Sequence, residues 1–281
     1  MTTVAFGPLS MRAGGGRDGD YIVESGFFSD WYSVSQSKTE IRERAVADGA
    51  FGIDRDWRSG LGLQMLGRFR GDAWPTMLAD LSRVAALGTT VDVTVSDAVG
   101  VSTRRVQVRK FVPKPMPGAK LCYFAMDLFA VDPKRYGPEQ IASTGLPTSG
   151  TGQPWPQPWP ADWGTGGDPG RVTLVNPGTA DTSPLLAVSG GLDGGVQLVE
   201  ITTGAYLQLD RVIPLGSTAF FNTRTSRVYL DIPDNDISGF TSRRGWEGFQ
   251  IPAGGTRIIQ FNGQGAVSGT PTLIARFSPA F

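Results

Sequence analysis

The chain has 281 residues, of which 40% are hydrophobic and 19% charged, and its 26 basic residues balance 26 acidic ones. This length predicts one large or two ordinary domains. The zero net charge argues against a general binder of nucleic acid or anionic membranes, which needs a basic face. The sequence contains no histidine, which excludes Ser-His-Asp and Cys-His catalysis.

The 38 glycines predict many turns, and together with few helical patterns they favour a mainly β class. Short β-rich runs occur at residues 4–11 and 21–28, and a longer extended run covers residues 61–69. One helix is predicted after them. Pro75 occupies its first turn, apolar residues recur at helical spacing from Met77 to Ala85, and Gly88 ends it.

A hairpin and a buried strand are predicted after this helix. Apolar residues alternate with polar ones in residues 91–95 and again in 105–109, with a turn at residues 97–100 between them. Residues 121–131 are apolar on both faces except for Asp127, which predicts a strand that is buried on both sides.

The composition changes at residue 132. Residues 132–170 are rich in Pro, Gly, Ser and Thr and have no periodicity, which predicts a connector between domains 1–131 and 171–281. Residues 171–281 return to short β runs at a spacing typical of a β-sandwich. The predicted strands cover residues 172–176, 185–189, 228–230, 249–251, 257–261 and 273–277, with a hairpin at 196–210.

Four short features could carry chemistry, and each has a simpler structural interpretation. Cys122, the one cysteine, lies in an apolar run and is expected to be an inert core thiol. Arg70-Gly71-Asp72 is an integrin-type triplet, but it also suits a turn into the helix. Residues 14–19 lack the Lys-Ser/Thr of a phosphate-binding loop. Asp231, Asp234, Asn235 and Asp236 could offer oxygens to Ca²⁺, but such clusters are ordinary turn chemistry. No metal site and no cofactor are predicted.

Three of the seven tryptophans, Trp155, Trp159 and Trp163, lie four residues apart among prolines and glycines. Their rings could stack on a sugar. The segment could also dock in a groove of a partner protein. The interpretation we favour is that the rings pin the connector onto the body of the protein, because the segment falls at the change in composition.

The order of elements resembles the distal tail protein of long-tailed (siphovirus-type) bacteriophages over nearly the whole chain. In the first half the resemblance rests on "LGLQMLGRFRGDAWPTMLADLSRVAAL" (61–87), the hairpin after it and "LFAVDPKRYG" (128–137). In the second half it rests on "VTLVNPGTADTSPLLAVSG" (172–190), "EITTGAYLQLD" (200–210) and "IPAGGTRIIQF" (251–261). The long Pro/Trp connector departs from the pattern.

The resemblance implies a tail-tube-like β-barrel or sandwich with one flanking helix, followed by a galectin-like or carbohydrate-module-like β-sandwich. It further implies a structural virion protein at the tail tip, made in the bacterial host cytoplasm. Six copies would form a ring between the tail tube protein and a tail-associated hub or tape measure protein, with DNA only in transit through the lumen and no membrane span.

The alternative function is a carbohydrate-binding adhesin. It would recognise a host cell-wall glycan through the C-terminal sandwich and the Trp-rich segment. An enzyme is not predicted: a pair of carboxylates close in space could hydrolyse glycosides, but the sequence gives no positive sign of one.

Overall fold

The computed structural model describes residues 2–38, 48, 58–86, 88–150 and 166–281. The chain divides into two compact units, Met1–Gly137 and Pro138–Phe281, called here the barrel unit and the sandwich unit. The mainly β fold class, a barrel followed by a sandwich, is confirmed.

The barrel unit is a closed sheet of seven strands in the order β1-β2-β3-β4-β7-β6-β5. Its strands are β1 Thr3–Phe6, β2 Leu9–Ala13, β3 Tyr21–Val23, β4 Leu61–Arg70, β5 Thr90–Ser96, β6 Val101–Met116 and β7 Leu121–Ala130. All neighbouring pairs are antiparallel except β2 and β3, which run parallel. Side chains alternate along β4, where every second residue from Leu61 to Phe69 is buried in the core.

Two helices belong to this unit. α2, Trp74–Val84, is the predicted helix; Pro75 lies in its first turn, and Met77 and Leu81 are buried. α1, Gly26–Tyr32, was not predicted, because residues 21–28 were assigned to one β-rich run. This helix has seven residues, too few for a clear period, and its periodic signal is limited to two pairs four residues apart, the buried Phe27 and Trp31 and the partly buried Phe28 and Tyr32.

β7 corrects a second expectation, since it is not buried on both faces. Cys122, Phe124 and every second residue to Ala130 are buried, and the residues between them are only half-buried. β7 pairs with β4 on one side and β6 on the other, and only the inner face of this sheet meets the core. The predicted hairpin is confirmed, since Val91 pairs with Val106 and the chain turns at Asp97–Gly100.

The sandwich unit has two five-stranded sheets, β14-β13-β10-β17-β8 and β15-β12-β11-β16-β9. The strands are β8 Gln140–Gly145, β9 Arg171–Val175, β10 Leu185–Ser189, β11 Val196–Glu200, β12 Tyr206–Leu209, β13 Thr218–Asn222, β14 Arg227–Leu230, β15 Thr241–Arg244, β16 Thr256–Gly263 and β17 Thr272–Phe277. One apolar core joins the sheets and contains Phe221, Phe249 and Phe261, all fully buried.

The boundaries of the predicted connector need correction. The first unit ends at Gly137, and β8, which lies inside the segment 132–170, is an edge strand of the sandwich paired with β17. Most side chains of β8 are exposed, so it lacks the apolar alternation by which a strand is recognised. Residues 249–251 were also wrong as a strand. A 3₁₀ turn, Trp246–Phe249, occupies this region, and β13 and β15 were missed.

Candidate functional site

Trp155, Trp159 and Trp163 lie in residues 151–165, outside the described part of the chain. Their role, like that of the rest of this segment, stays a prediction. The candidate surfaces are therefore the faces of the barrel and of the sandwich.

The chain leaves the barrel through a turn that is tied to β6. Tyr136 exchanges two backbone hydrogen bonds with Thr103, at 2.8 and 2.9 Å, and its hydroxyl donates to the carboxylate of Asp132 at 2.7 Å. The guanidinium of Arg135 lies 4.5 Å from the ring centre of Tyr32, on α1. The segment "DPKRYG" therefore fixes the path of the chain at the end of the first unit.

α1 is held against the same region of the barrel. The indole of Trp31 donates to the hydroxyl of Ser102 at 3.2 Å, and Arg104 donates to the backbone oxygen of Trp31 at 2.6 Å. Burial, together with the positive charge of Arg135, lowers the pKa of Arg104 to about 10. Burial raises the pKa of the Tyr32 phenol to about 12, with a further contribution from its hydrogen bond to Asp97.

A groove of about 520 Å³ opens beside these residues. Its lining combines apolar side chains, among them Ile22 and Phe28, with the charged side chains of Glu24, Arg68 and Asp97. Sequence reasoning did not find this groove, because its residues come from β2, β3, α1, β4 and the turn after β5, which are far apart in the chain.

The outer surface of the strands β4, β7 and β6 is the second feature of the barrel and is called here the barrel face. Leu66, Ala125 and Val112 lie in one directly paired row across the three strands. Arg68, Tyr123 and Lys114 form the neighbouring row. Leu66 and Val112 are exposed, at 37% and 44%. Apolar side chains in a row with basic ones beside them suit contact with another protein surface.

The outer surfaces of the two sandwich sheets differ in their aromatic and amide content. On the first sheet, called here the aromatic face, Phe220 and Tyr229 stack with ring centres 5.0 Å apart. The other apolar members are Leu185, Ala187, Ile274 and Ile141, and the polar members are Ser143, Ser189, Thr218, Asn222, Arg227, Thr272 and Arg276.

On the second sheet, polar side chains prevail, and the part of its outer surface called here the amide face is formed by Arg171, Gln197, Val199, Tyr206, Gln208, Arg243, Gln260 and Asn262. The same surface continues along β9 and β16 with Thr173, Val175, Thr256 and Ile258. The hairpin 196–210 was predicted, but its pairing with β16, some 60 residues later, was not. For that reason sequence reasoning missed this face.

The structure places the remaining predicted candidates in structural roles. The Arg70 guanidinium bonds Asp18 at 2.6 Å and the Asp72 carboxylate pairs with Lys120, so the triplet forms the turn before α2. Gly71 has φ of +117°, a conformation that other residues rarely adopt. Burial raises the pKa of the Cys122 thiol, as expected of an inert core cysteine.

The acidic cluster at residues 231–236 is engaged in turns. Asp231 accepts a bond from the backbone N–H of Thr218 at 2.7 Å, and Asp236 from that of Ser238 at 2.8 Å. Within the described residues, no group of three His, Cys, Asp or Glu side chains could hold a metal ion. The loop at residues 14–19 leads into β3 and not into a helix, and Gly19 donates to the Arg70 carbonyl.

Glu200 is a fully buried carboxylate at the end of β11. It accepts hydrogen bonds from the backbone N–H groups of Thr202 and Thr203, at 3.1 and 2.6 Å, and from the Thr203 hydroxyl at 2.6 Å. Burial acts to raise its pKa, but these bonds outweigh burial, and the pKa falls below its usual value of 4.5. The carboxylate therefore has a structural role in the hairpin.

We expect Glu200→Gln to lower the stability of the sandwich unit at pH 7 by about 1–3 kcal/mol, because the amide group cannot accept all three bonds. The folded pKa of Glu200 is lowered, so its stabilising contribution is full above pH 4.5 and disappears as the pH falls through the folded value. Urea unfolding at pH 7 and pH 3 should show a smaller difference between variant and parent at pH 3. An equal difference at both pH values would contradict this assignment.

No protein-family model and no curated protein matches the chain. Solved structures do. SPP1 Dit (gp 19.1), described as a paradigm of the hub adsorption apparatus in phages that infect Gram-positive bacteria, superposes with a TM-score of 0.62 at 13% identity. The match covers 100% of this chain and 99% of that one.

Two structures of the phage P2 baseplate in its activated conformation, one with Ca and one with Sr, also match. Both have TM-scores of 0.54, at 7% and 8% identity, with 98% of each chain covered. None of the helices in the described residues has the length and apolar character of a membrane span. Over its full length, the chain has the fold of the phage distal tail proteins.

Proposed function

We propose that this protein is a structural component of a phage tail tip, and that six copies form a ring between the tail tube and the tail-tip hub. The observation that carries the proposal is the match to SPP1 Dit, which includes barrel and sandwich and leaves almost no residue of either chain unmatched. A partial match would be compatible with a shared domain in an unrelated protein. Localisation to the virion, and passage of DNA through the ring, are parts of the same proposal.

A closed ring needs a heterologous interface, in which one surface of a copy contacts a different surface of the next. Catalytic groups have no part in it. The barrel face supplies one surface with suitable chemistry, since its exposed Leu66 and Val112 lie beside basic Arg68 and Lys114. We therefore assign the barrel face to contact between copies.

The purified protein is expected to have about six times the 30.0 kDa mass of the chain, or a simple multiple of that, in light scattering after size exclusion. Val112→Glu, which places a charge in the exposed apolar row, should reduce this mass to that of smaller species. The matched control is Ile232→Glu, an exposed apolar residue of the sandwich unit, which should leave the mass unchanged. A hexamer that survives Val112→Glu would exclude the barrel face, and a monomeric parent protein would count against the ring.

The second candidate function is recognition of the host surface. The Trp-rich segment that suggested it lies outside the described residues, so its test is the loss of cell binding in Trp155→Ala or Trp159→Ala without loss of assembly. Among the described residues, the amide face is the observation that favours this function.

A further inference from the structure

The amide face consists of two adjacent rows of side chains on the outer side of the second sandwich sheet. Arg243, Gln208, Gln197 and Asn262 are directly paired in one row across β15, β12, β11 and β16. Tyr206, Val199, Gln260 and Arg171 form the adjacent row across β12, β11, β16 and β9. Strands lie about 4.8 Å apart, so each row presents polar groups over about 14 Å.

The hydrogen-bonding capacity of this face is only partly used within the protein. The Gln260 amide donates to Asn262 at 3.2 Å and accepts a bond from Arg171 at 3.3 Å, and the Gln208 amide donates to Asp210 at 2.7 Å. Within the described chain, the Gln197 side chain has no hydrogen bond. Each carboxamide both donates and accepts, as sugar hydroxyls do. Asparagine is also disfavoured in strands, so its place here has a cost in β propensity.

The charges of the face favour an anionic ligand. Arg243 lies on one edge strand and Arg171 on the other, and none of the eight residues is a carboxylate. The carboxylate of Asp210, next to Gln208 in the chain, accepts a hydrogen bond from the Gln208 amide. Arginine binds carboxylate and phosphate groups through paired hydrogen bonds.

The two outer faces of the sandwich unit suit different partners. Protein interfaces are enriched in aromatic and large apolar residues, which the aromatic face has in Phe220, Tyr229 and Ile274. Within its two rows the amide face has one aromatic ring, that of Tyr206, and one small apolar side chain, Val199, and Ile258 and Val175 lie beyond the second row on the same surface. These two can contact the apolar faces of a sugar ring while the carboxamides bind its hydroxyls.

We propose that the amide face binds an oligosaccharide that carries negative charge, as a uronate or a phosphate. The proposal rests on the second candidate function, recognition of the host surface, and names its ligand class; it does not require the ring, since every residue involved belongs to the sandwich unit of a single chain. It also differs from sugar binding by the Trp-rich segment, because none of the three tryptophans takes part.

The test is calorimetric titration of the full chain with four probes: tetragalacturonate, a glycerol phosphate oligomer, chitotetraose and maltoheptaose. We expect saturable binding of at least one of the two anionic probes. Arg171→Ala/Arg243→Ala and Gln197→Ala/Gln208→Ala should each weaken that binding at least tenfold. Arg227→Ala/Arg276→Ala is the matched control, since it removes two arginines from the aromatic face, and it should bind as the parent does.

Unchanged thermal unfolding of each variant shows that the sandwich is folded. No saturable binding of any probe, or equal losses in the two arginine pairs, would overturn the proposal. Preference for the neutral probes would overturn the assignment of negative charge to the ligand. Light scattering of the same samples distinguishes loss of sugar binding from loss of the ring, because a variant that no longer binds the sugar can still have the oligomeric mass of the parent.

Discussion

Trp31→Ala is expected to lower the stability of the barrel unit by about 3–5 kcal/mol. Trp31 is fully buried and is one of the largest side chains in the barrel core. Its loss leaves a cavity, removes the bond from its indole to Ser102, and exposes the guanidinium of Arg104, which lies 5.1 Å from the ring centre. Few single substitutions in this unit should have a larger effect.

The matched control is Phe261→Ala, which removes a fully buried aromatic side chain from the core of the sandwich unit. Because each unit has its own core, each substitution should lower one calorimetric transition and leave the other in place. If Trp31→Ala and Phe261→Ala shift the same single transition, the two units unfold together, and the predicted independence is wrong.

Asn176→Ala is expected to lower the stability of the sandwich unit by about 3 kcal/mol, since it leaves several buried polar groups without partners. The fully buried side chain of Asn176 donates to the carbonyls of Ala180, Ile251 and Pro252, at 2.9, 3.3 and 3.1 Å, and accepts from the N–H of Gly178 at 3.0 Å. It thereby ties the loop after β9 to the segment before β16.

Asn176→Asp provides the comparison. The carboxylate has nearly the same shape but no donor, and it would face three carbonyl oxygens in a buried site. Chemical unfolding at pH 7 should therefore rank the proteins as parent, then Asn176→Ala, then Asn176→Asp. An aspartate variant as stable as the parent would show that these three bonds contribute little.

Part of the fold could be predicted from the alternation of apolar and polar residues, because in a strand with one face in the core every second side chain is buried. The hairpin of β5 and β6 was found in this way, and the strands β4, β10, β11 and β17 were found as extended or short β runs. The helix α2 was found from its apolar spacing and from Pro75. In each case the local pattern and the tertiary environment agree.

The elements that the sequence did not predict were missed for physical reasons. β8 is an edge strand with exposed side chains, and α1 is too short to repeat its pattern. Arg104 could have been placed in the core, because it lies two residues before the buried Val106 and every second side chain of a strand points to the same face. A charged residue at an inward position is easily assigned to the surface, since arginine is seldom fully buried.

The candidate surfaces were less predictable than the fold. The amide face joins residues of five strands spread from Arg171 to Asn262, and strand order within a sheet is not visible in any one stretch of sequence. The groove beside α1 likewise depends on a helix that was not predicted. Both were accessible only once long-range pairing was known.

The most direct test of the proposed hexameric ring is electron microscopy of the purified protein. We predict class averages of a ring with six-fold symmetry and a central opening wide enough for double-stranded DNA. Sixfold mass in solution with no central opening would contradict passage of DNA through the assembly. Particles of a single chain, or rings of another symmetry, would contradict the proposed hexameric hub.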